Sequence, residues 1–234
     1  MTAKPHIALW SGPRNLSTAL MYSFFSRGDL KVFDEPLFGY FLKHTGVWRP
    51  SREEVLKVME TNAQKIIERN FTQTNAFSKN IANHIEGLDL AFLLPLKNII
   101  LTRKPEEVLV SYTKQVESPT LLDLAFEHQL KIIEFLKAQN QPFVIIEAAD
   151  LQNTTEDTLK KICEFAGIEF NEKMLSWMPG PKPIDGVWEK YWYRGVHRST
   201  GFEKREITAK ELPENLQLLK NSCDLFYAEI LKHK

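Results

Sequence analysis

Two runs in this chain, NIILT (98–102) and FVIIE (143–147), are almost unbroken stretches of large apolar and β-branched residues. A strand with one wet face alternates polar and apolar side chains. A strand with no such alternation must be covered on both faces. Three further short runs, HIALW (6–10), LKVFD (30–34) and AFSKN (76–80), have strand length. Between the runs lie longer amphipathic stretches at about 18–27, 36–44, 52–69, 105–116, 120–139 and 155–167. In the 52–69 stretch, Val55, Val58, Met59, Ile66 and Ile67 recur at helical spacing. The run Thr154-Thr155-Glu156-Asp157 supplies a helix start and Gly167 a stop. Strand and helix in strict alternation predict an α/β fold: three layers, α/β/α, on a mainly parallel sheet of about five strands with right-handed crossovers.

The 234 residues are 43% hydrophobic, enough to cover such a sheet. Lys plus Arg and Asp plus Glu number 30 each, so the formal charge is zero. A neutral chain has no global field to gather nucleic acid or an anionic membrane, and any anionic ligand must be held by local charges. Cys163 and Cys223 are far apart, each beside apolar neighbours in a helical pattern, and read as two buried reduced thiols. The start, MTAKPHIALWSG, has too short an apolar run for a signal peptide, and no segment approaches ~20 apolar residues. Stable membrane insertion is therefore not expected, and the expected location is cytoplasmic. Residues 178–206 are rich in Pro, Gly, aromatic and basic residues with no clean period, and a last helical stretch runs over about 209–232. With no repeat or flexible linker, residues 1–234 read as one domain; oligomeric state leaves no mark.

The first strand runs into WSGPRNLST (10–18) and then a helical pattern. Strand, loop and helix in that order let backbone N–H groups and a helix N-terminus cradle an anion. Gly12 allows close backbone approach, Arg14 offers a fork for two oxygens, and Ser17 and Thr18 add hydroxyls. Compared with G-x-x-x-x-G-K-[ST], the second Gly is replaced by Leu16 and the Lys is missing. An ordinary strand-to-helix turn remains the competing reading. A second such corner, NIILTRKPEEVLVSYTKQ (98–115), places Arg103 at a strand end and Ser111 two turns into the next helix. Pro105, Glu106 and Glu107 suit that helix's first turn. Two anion-competent corners on one sheet fit a nucleotide with phosphates at both ends.

WSGPRNLST, then LTRKPEEVLVSY, then FVIIEAADLQNTTEDTLKKICEFAGIEF, resembles the sulfotransferase superfamily in that order, over most of residues 6–177. The likeness extends to its bacterial branch. It implies a P-loop-type fold and 3′-phosphoadenosine 5′-phosphosulfate (PAPS) as donor. The first loop, Ser11, Gly12, Pro13, Arg14, Asn15, Leu16, Ser17 and Thr18, would take the 5′-phosphosulfate. Arg103 and Ser111, in an R-x-P-x-x-x-x-x-S arrangement with Pro105, would hold the 3′-phosphate. Ala149-Asp150-Leu151 and Phe165-Ala166-Gly167-Ile168 match the family's third segment. Asn15 and Leu16 depart from it where a small residue and Gly are usual. Leu resists positive φ, so a loop of different shape or a weaker hold on the ligand is expected here.

The resemblance implies sulfuryl transfer to a hydroxyl or amine of a small or medium-sized acceptor, of small-molecule or carbohydrate and lipid type. Such transfer needs alignment and neutralisation of the leaving oxygen, with no metal required where cations sit there. Arg14 and Lys79, the latter at the end of AFSKN, are the candidate cations; a solvated strand-end lysine is the other reading of Lys79. Glu35 in KVFDEPLFGYF is the favoured base, set against a simple capping role for Asp34-Glu35. His84 in SKNIANHIEG is the alternative base, although it follows Lys79 by five residues where the family spacing is two and Ile81 stands at that place. In 178–206, Arg194, His197, Arg198 and Gly201 are candidates for a lid over the nucleotide. Trp188, Tyr191, Trp192 and Tyr193 either line an acceptor pocket or pack as an apolar stripe. A small-molecule kinase and a non-catalytic adenosine bisphosphate binder remain the alternative functions.

Overall fold

The computed structural model describes residues 4–203 and 212–234. Residues 204–206 of the expected lid and 209–211 of the expected last helix lie outside them. All five runs form strands: β1 (His6–Ser11), β2 (Lys31–Asp34), β3 (Ala76–Ile81), β4 (Lys97–Thr102) and β5 (Phe143–Glu147). They make one sheet in the order β2-β3-β1-β4-β5, and every pairing is parallel. Ile7 stands beside both Phe77 and Lys97, so β1 is central.

Alternation along each strand builds two cores. Ile7, Leu9, Phe77, Ile99 and Leu101 face one side, under α1 (Ser17–Ser26) and α9 (Thr155–Ala166). Ala8, Trp10, Ile100 and Ile145 face the other, under α5 (Pro105–Tyr112), α7 (Phe126–Ala138) and α11 (Glu214–Leu231). The result is the three-layer α/β/α arrangement. The chain leaves β1 for β2 and β3 on one side and reaches β4 and β5 on the other. The carboxyl end of β1 is thus a point where the strand order reverses, the place where open α/β sheets bind ligands.

Helix boundaries differ from expectation where local side chains interrupt the backbone ladder. The 52–69 stretch is two helices, α3 (Arg52–Val58) and α4 (Ala63–Ile66), the second continued by a wider turn, Ile67–Phe71. Met59 is extended, Glu60 Oε1 accepts the backbone N–H of Thr61 and Asn62, and Asn62 Oδ1 caps Lys65 N. These bonds take the place of helical ones. The 120–139 stretch is divided by Ala125 at φ 63° into α6 (Leu121–Leu124) and α7. The helix after β2 starts at Phe38 (α2, Phe38–Thr45), and an unexpected α8 (Ala148–Asn153) follows β5 directly. Gly167, at φ 71°, ends α9 as expected. Residues 186–201 hold only one helical turn, α10 (Glu189–Trp192), and a 3₁₀ turn at Val196–Arg198. Both cysteines are buried and unbridged.

Candidate functional site

The β1–α1 loop crosses the carboxyl end of the central strand. Arg14 and Leu16 both adopt left-handed backbone, at φ 61° and 66°. Leu16 takes the left-handed conformation that leucine resists, at a strain of order 1–2 kcal/mol that the surrounding contacts hold. Asn15 fixes the turn from beneath, its amide donating to the Leu101 carbonyl at 3.0 Å. Ser11 Oγ donates to the Asn80 carbonyl, and Gly12 is pressed against the chain, where an added Cβ would lie 3.0 Å from the Leu124 carbonyl. Ser11 and Gly12 therefore shape the loop from behind. Pro13, Arg14, Asn15, Leu16, Ser17 and Thr18 line a cavity of about 320 Å³ above it.

The second corner opens onto the same cavity. Arg103 leaves β4 buried, with Nη1 donating to the Arg14 carbonyl at 2.7 Å and Nε to Glu107 at 2.7 Å. Arg14 Nε donates to Ser111 Oγ at 2.9 Å, and Nη1 to the Trp192 carbonyl at 3.0 Å. Arg14, Arg103 and Ser111 thus share one rim, and Trp192 stacks on Tyr112 beside them at 5.7 Å.

The same cavity holds a cluster of titratable groups. Lys79 lies in β3, 1% exposed, which excludes a solvated strand-end lysine. Its ammonium donates to Asp34 at 3.0 Å, to Glu35, and to the Tyr193 hydroxyl at 2.6 Å. Glu35 sits at φ 46° just past β2, with its N–H on the Lys79 carbonyl, so the kink turns the carboxylate onto Lys79. It does not cap α2, whose first turn has no side-chain cap, and Asp34 instead accepts from Lys79, Tyr193 and Gly186 N–H.

One buried cation beside two carboxylates leaves an excess negative charge in a poorly solvated place. Burial, together with Asp34, pushes Glu35 up to about 7 against the pull of Lys79. Burial opposes charge on Lys79, but Asp34 and Glu35 outweigh it and hold its pKa above the ordinary lysine range. His84, between Phe38 and Phe41 with ring centroids 5.0 and 4.8 Å away, is kept neutral by burial and by the Lys79 and Arg49 charges. Its Nε2 lies 4.0 Å from Glu35.

The 186–203 segment closes one side. Tyr193 donates to Asp34 at 2.8 Å and accepts from Trp188 Nε1 at 3.0 Å. Trp188, Trp192, Tyr193 and Gly201 line the cavity. Tyr191 stands outside the lining, as do the exposed Arg194 and Arg198. His197 pairs with Asp185 at 3.2 Å. Sequence reasoning did not single out Arg49, Asp123 or Asn83, which also line the cavity. Only Asp123 carries a signal, in the capping pattern T-L-L-D that it does complete with Thr120.

The parallel α/β sheet thus carries an anion-type loop after its central strand and a Lys–carboxylate pair at the same edge. The chain belongs to the sulfotransferase family: residues 5–232 match the family described as "Sulfotransferase domain". A sulfotransferase domain from the Synechococcus olefin synthase superposes with a TM-score of 0.58 at 18% identity, covering 97% of this chain and 96% of that one. Retinol dehydratase, solved with retinol and PAP (adenosine 3′,5′-bisphosphate), has a TM-score of 0.53 at 13% identity, covering 99% and 83%. Of the curated proteins, two from Arabidopsis thaliana are similar in sequence. "Branched-chain-amino-acid aminotransferase-like protein 1" is 39% identical over 93% of this chain, and "protein 2" is 35% identical over 97%. The chain spans only 40% and 42% of their lengths.

Proposed function

We propose that this protein transfers a sulfuryl group from PAPS to a hydroxyl of a small-molecule acceptor. The observation that carries the reading is the sharing of one cavity by the Arg14–Ser111–Arg103 rim and the Lys79–Glu35 pair. The residues present fit a doubly phosphorylated adenosine. Left-handed turns at Arg14 and Leu16 before the start of α1 make the concave run of N–H groups that takes a phosphate. Arg103 and Ser111 supply charge and hydroxyl for a second one, and Trp188 to Gly201 form the lid.

Bound there, PAPS supplies the activated sulfuryl group. Glu35 takes the proton of the acceptor hydroxyl as that oxygen bonds to sulfur. Lys79 and Arg14 offset the negative charge left on the phosphate oxygen when its bond to sulfur breaks. His84, neutral with Nε2 4.0 Å from Glu35, stands too far to hydrogen-bond that carboxylate and packs beside it between Phe38 and Phe41.

Isothermal titration with PAP tests this directly. The intact chain is expected to bind PAP, and more tightly than it binds ATP with magnesium. Arg103→Ala is expected to weaken PAP binding at least ~10-fold, the loss of a charge-assisted contact. A folded sample that binds no PAP, or an Arg103→Ala variant that binds it equally well, overturns the assignment.

A further inference from the structure

One part of the cavity lining carries a charged pair that the transfer chemistry does not use. Arg49, in the loop between α2 and α3, donates to Asp123 at the start of α6, and both side chains are at least nine-tenths buried. The other Asp123 oxygen is committed to α6, accepting Thr120 N–H at 2.7 Å and its hydroxyl at 2.9 Å. Arg49 makes one further bond, to the Trp48 carbonyl, so its guanidinium fork keeps donors beyond these contacts at the cavity surface. Next to Asp123, Asn83 Nδ2 donates to the Leu122 carbonyl at 2.8 Å. That bond fixes which way the amide points. Asn83 Oδ1 is left buried with no partner, on a residue 3% exposed that lines the same cavity. A buried polar atom without a partner is uncommon and calls for a ligand or water to complete it.

The charges around this wall decide what can enter. A bare carboxylate would meet Arg49 but also Asp123 and Glu35. A bare amine would meet Asp123 but also Arg49 and Lys79. A molecule with both charges satisfies both partners and adds no net charge to a poorly solvated space. Phe38, Phe41, Ile81 and Tyr112 supply apolar surface for the carbon skeleton between that wall and Glu35. The side chains that mark the two ends are close in the chain, since Asn83 precedes His84, which stands 4.0 Å from Glu35.

We infer that Arg49, Asp123 and Asn83 form the acceptor-recognition wall, and that the acceptor is a small hydroxylated amino-acid-type zwitterion, its carboxylate on Arg49 and its ammonium on Asp123. The hydroxyl then points toward Glu35. The assignment of an acceptor rests on the sulfuryl-transfer reading, whereas the binding selectivity can be measured without it.

The test is ligand-observed NMR on the full chain, with and without PAP. The probes are L-serine, L-homoserine and L-tyrosine, each with its N-acetyl and methyl-ester derivative. At least one free amino acid is expected to bind about tenfold or more tightly than either of its derivatives, as charge-assisted contacts are lost one at a time. Arg49→Gln is expected to abolish the preference for acid over ester and keep the preference for amine over amide. Asp123→Asn, which retains an oxygen for the Thr120 cap, is expected to do the reverse. Arg49→Lys keeps the charge and is expected to restore part of the acid preference, which a purely structural tie would not do. Equal binding of free and masked amino acids, or variants that weaken all probes alike, overturns the inference. If PAP binds and this selectivity is missing, the transfer reading stands and the acceptor assignment falls. If the selectivity is present and PAP fails to bind, the wall stands and the donor assignment falls.

Discussion

Glu35 combines three features that a catalytic carboxylate needs: a fixed backbone, burial, and a pKa moved toward neutrality. Its left-handed φ of 46° is the kind of strain that persists where the surroundings over-determine it. With burial raising its pKa to about 7, only its ionised form can accept a proton. The sign follows. Below about pH 7 the fraction of active base falls roughly tenfold per pH unit, and above it the rate levels off, because Lys79 is held protonated by its two carboxylates. The kcat/KM profile is therefore expected to rise to a plateau near neutrality, and Glu35→Gln to remove that limb with a rate loss of roughly 10²–10⁴. A flat wild-type profile between pH 5 and 8 would remove Glu35 from the role of base. At this scale the sequence was legible where chemistry is local: Glu35, Lys79 and Arg14 are charges at strand exits. Tyr193 was legible as a candidate for the pocket wall but not as the partner of Lys79 and Asp34. Arg49 was not legible at all, because nothing in an aperiodic loop says which distant element it will meet.

At the scale of elements, the sheet was legible because β4 and β5 are nearly continuous apolar runs and the other three strands are short runs between helical patterns. Helix ends were less so. Periodicity in 52–69 continues across Met59–Asn62, since apolar spacing reports the buried face and is blind to side chains that intercept backbone N–H groups. The break has a packing partner. A Cβ added at Gly39 in α2 would lie 2.8 Å from Met59 Cβ and 2.9 Å from the Glu60 carbonyl, so α2 touches the interrupted backbone directly. Gly39→Ala is expected to lower the unfolding free energy by about 1–3 kcal/mol, as overpacking at rigid backbone does, despite the better helix propensity of alanine. Urea titration of the two proteins checks it. A stabilised Gly39→Ala chain would mean that α2 and this segment are not in close contact. Ala125 belongs to the same lesson, since alanine at φ 63° has no sequence signature that would divide α6 from α7.

For the whole molecule, the cavity is made of parts that are far apart in sequence: residues 13–18, 103–111, and 192–201. Arg14 ties the first to the others through Ser111 and Trp192, and Tyr193 ties the last to Lys79 and Asp34. A ligand that bridges all three binds only the assembled chain, so its binding energy becomes folding stability. At a PAP concentration of one hundred times Kd, that contribution is about 2.7 kcal/mol. For a chain of this length each kcal/mol moves the midpoint by roughly 2–4 °C. PAP is thus expected to raise the Tm by about 5–10 °C in a thermal-unfolding scan. Arg103→Ala, at the same PAP concentration, is expected to show a much smaller rise. Because Arg103 also braces the Arg14 carbonyl, a smaller rise reports loss of the rim that the first loop and the β4–α5 corner share. An equal rise in both proteins would leave the first loop as the sole anchor and detach the β4–α5 corner from the nucleotide.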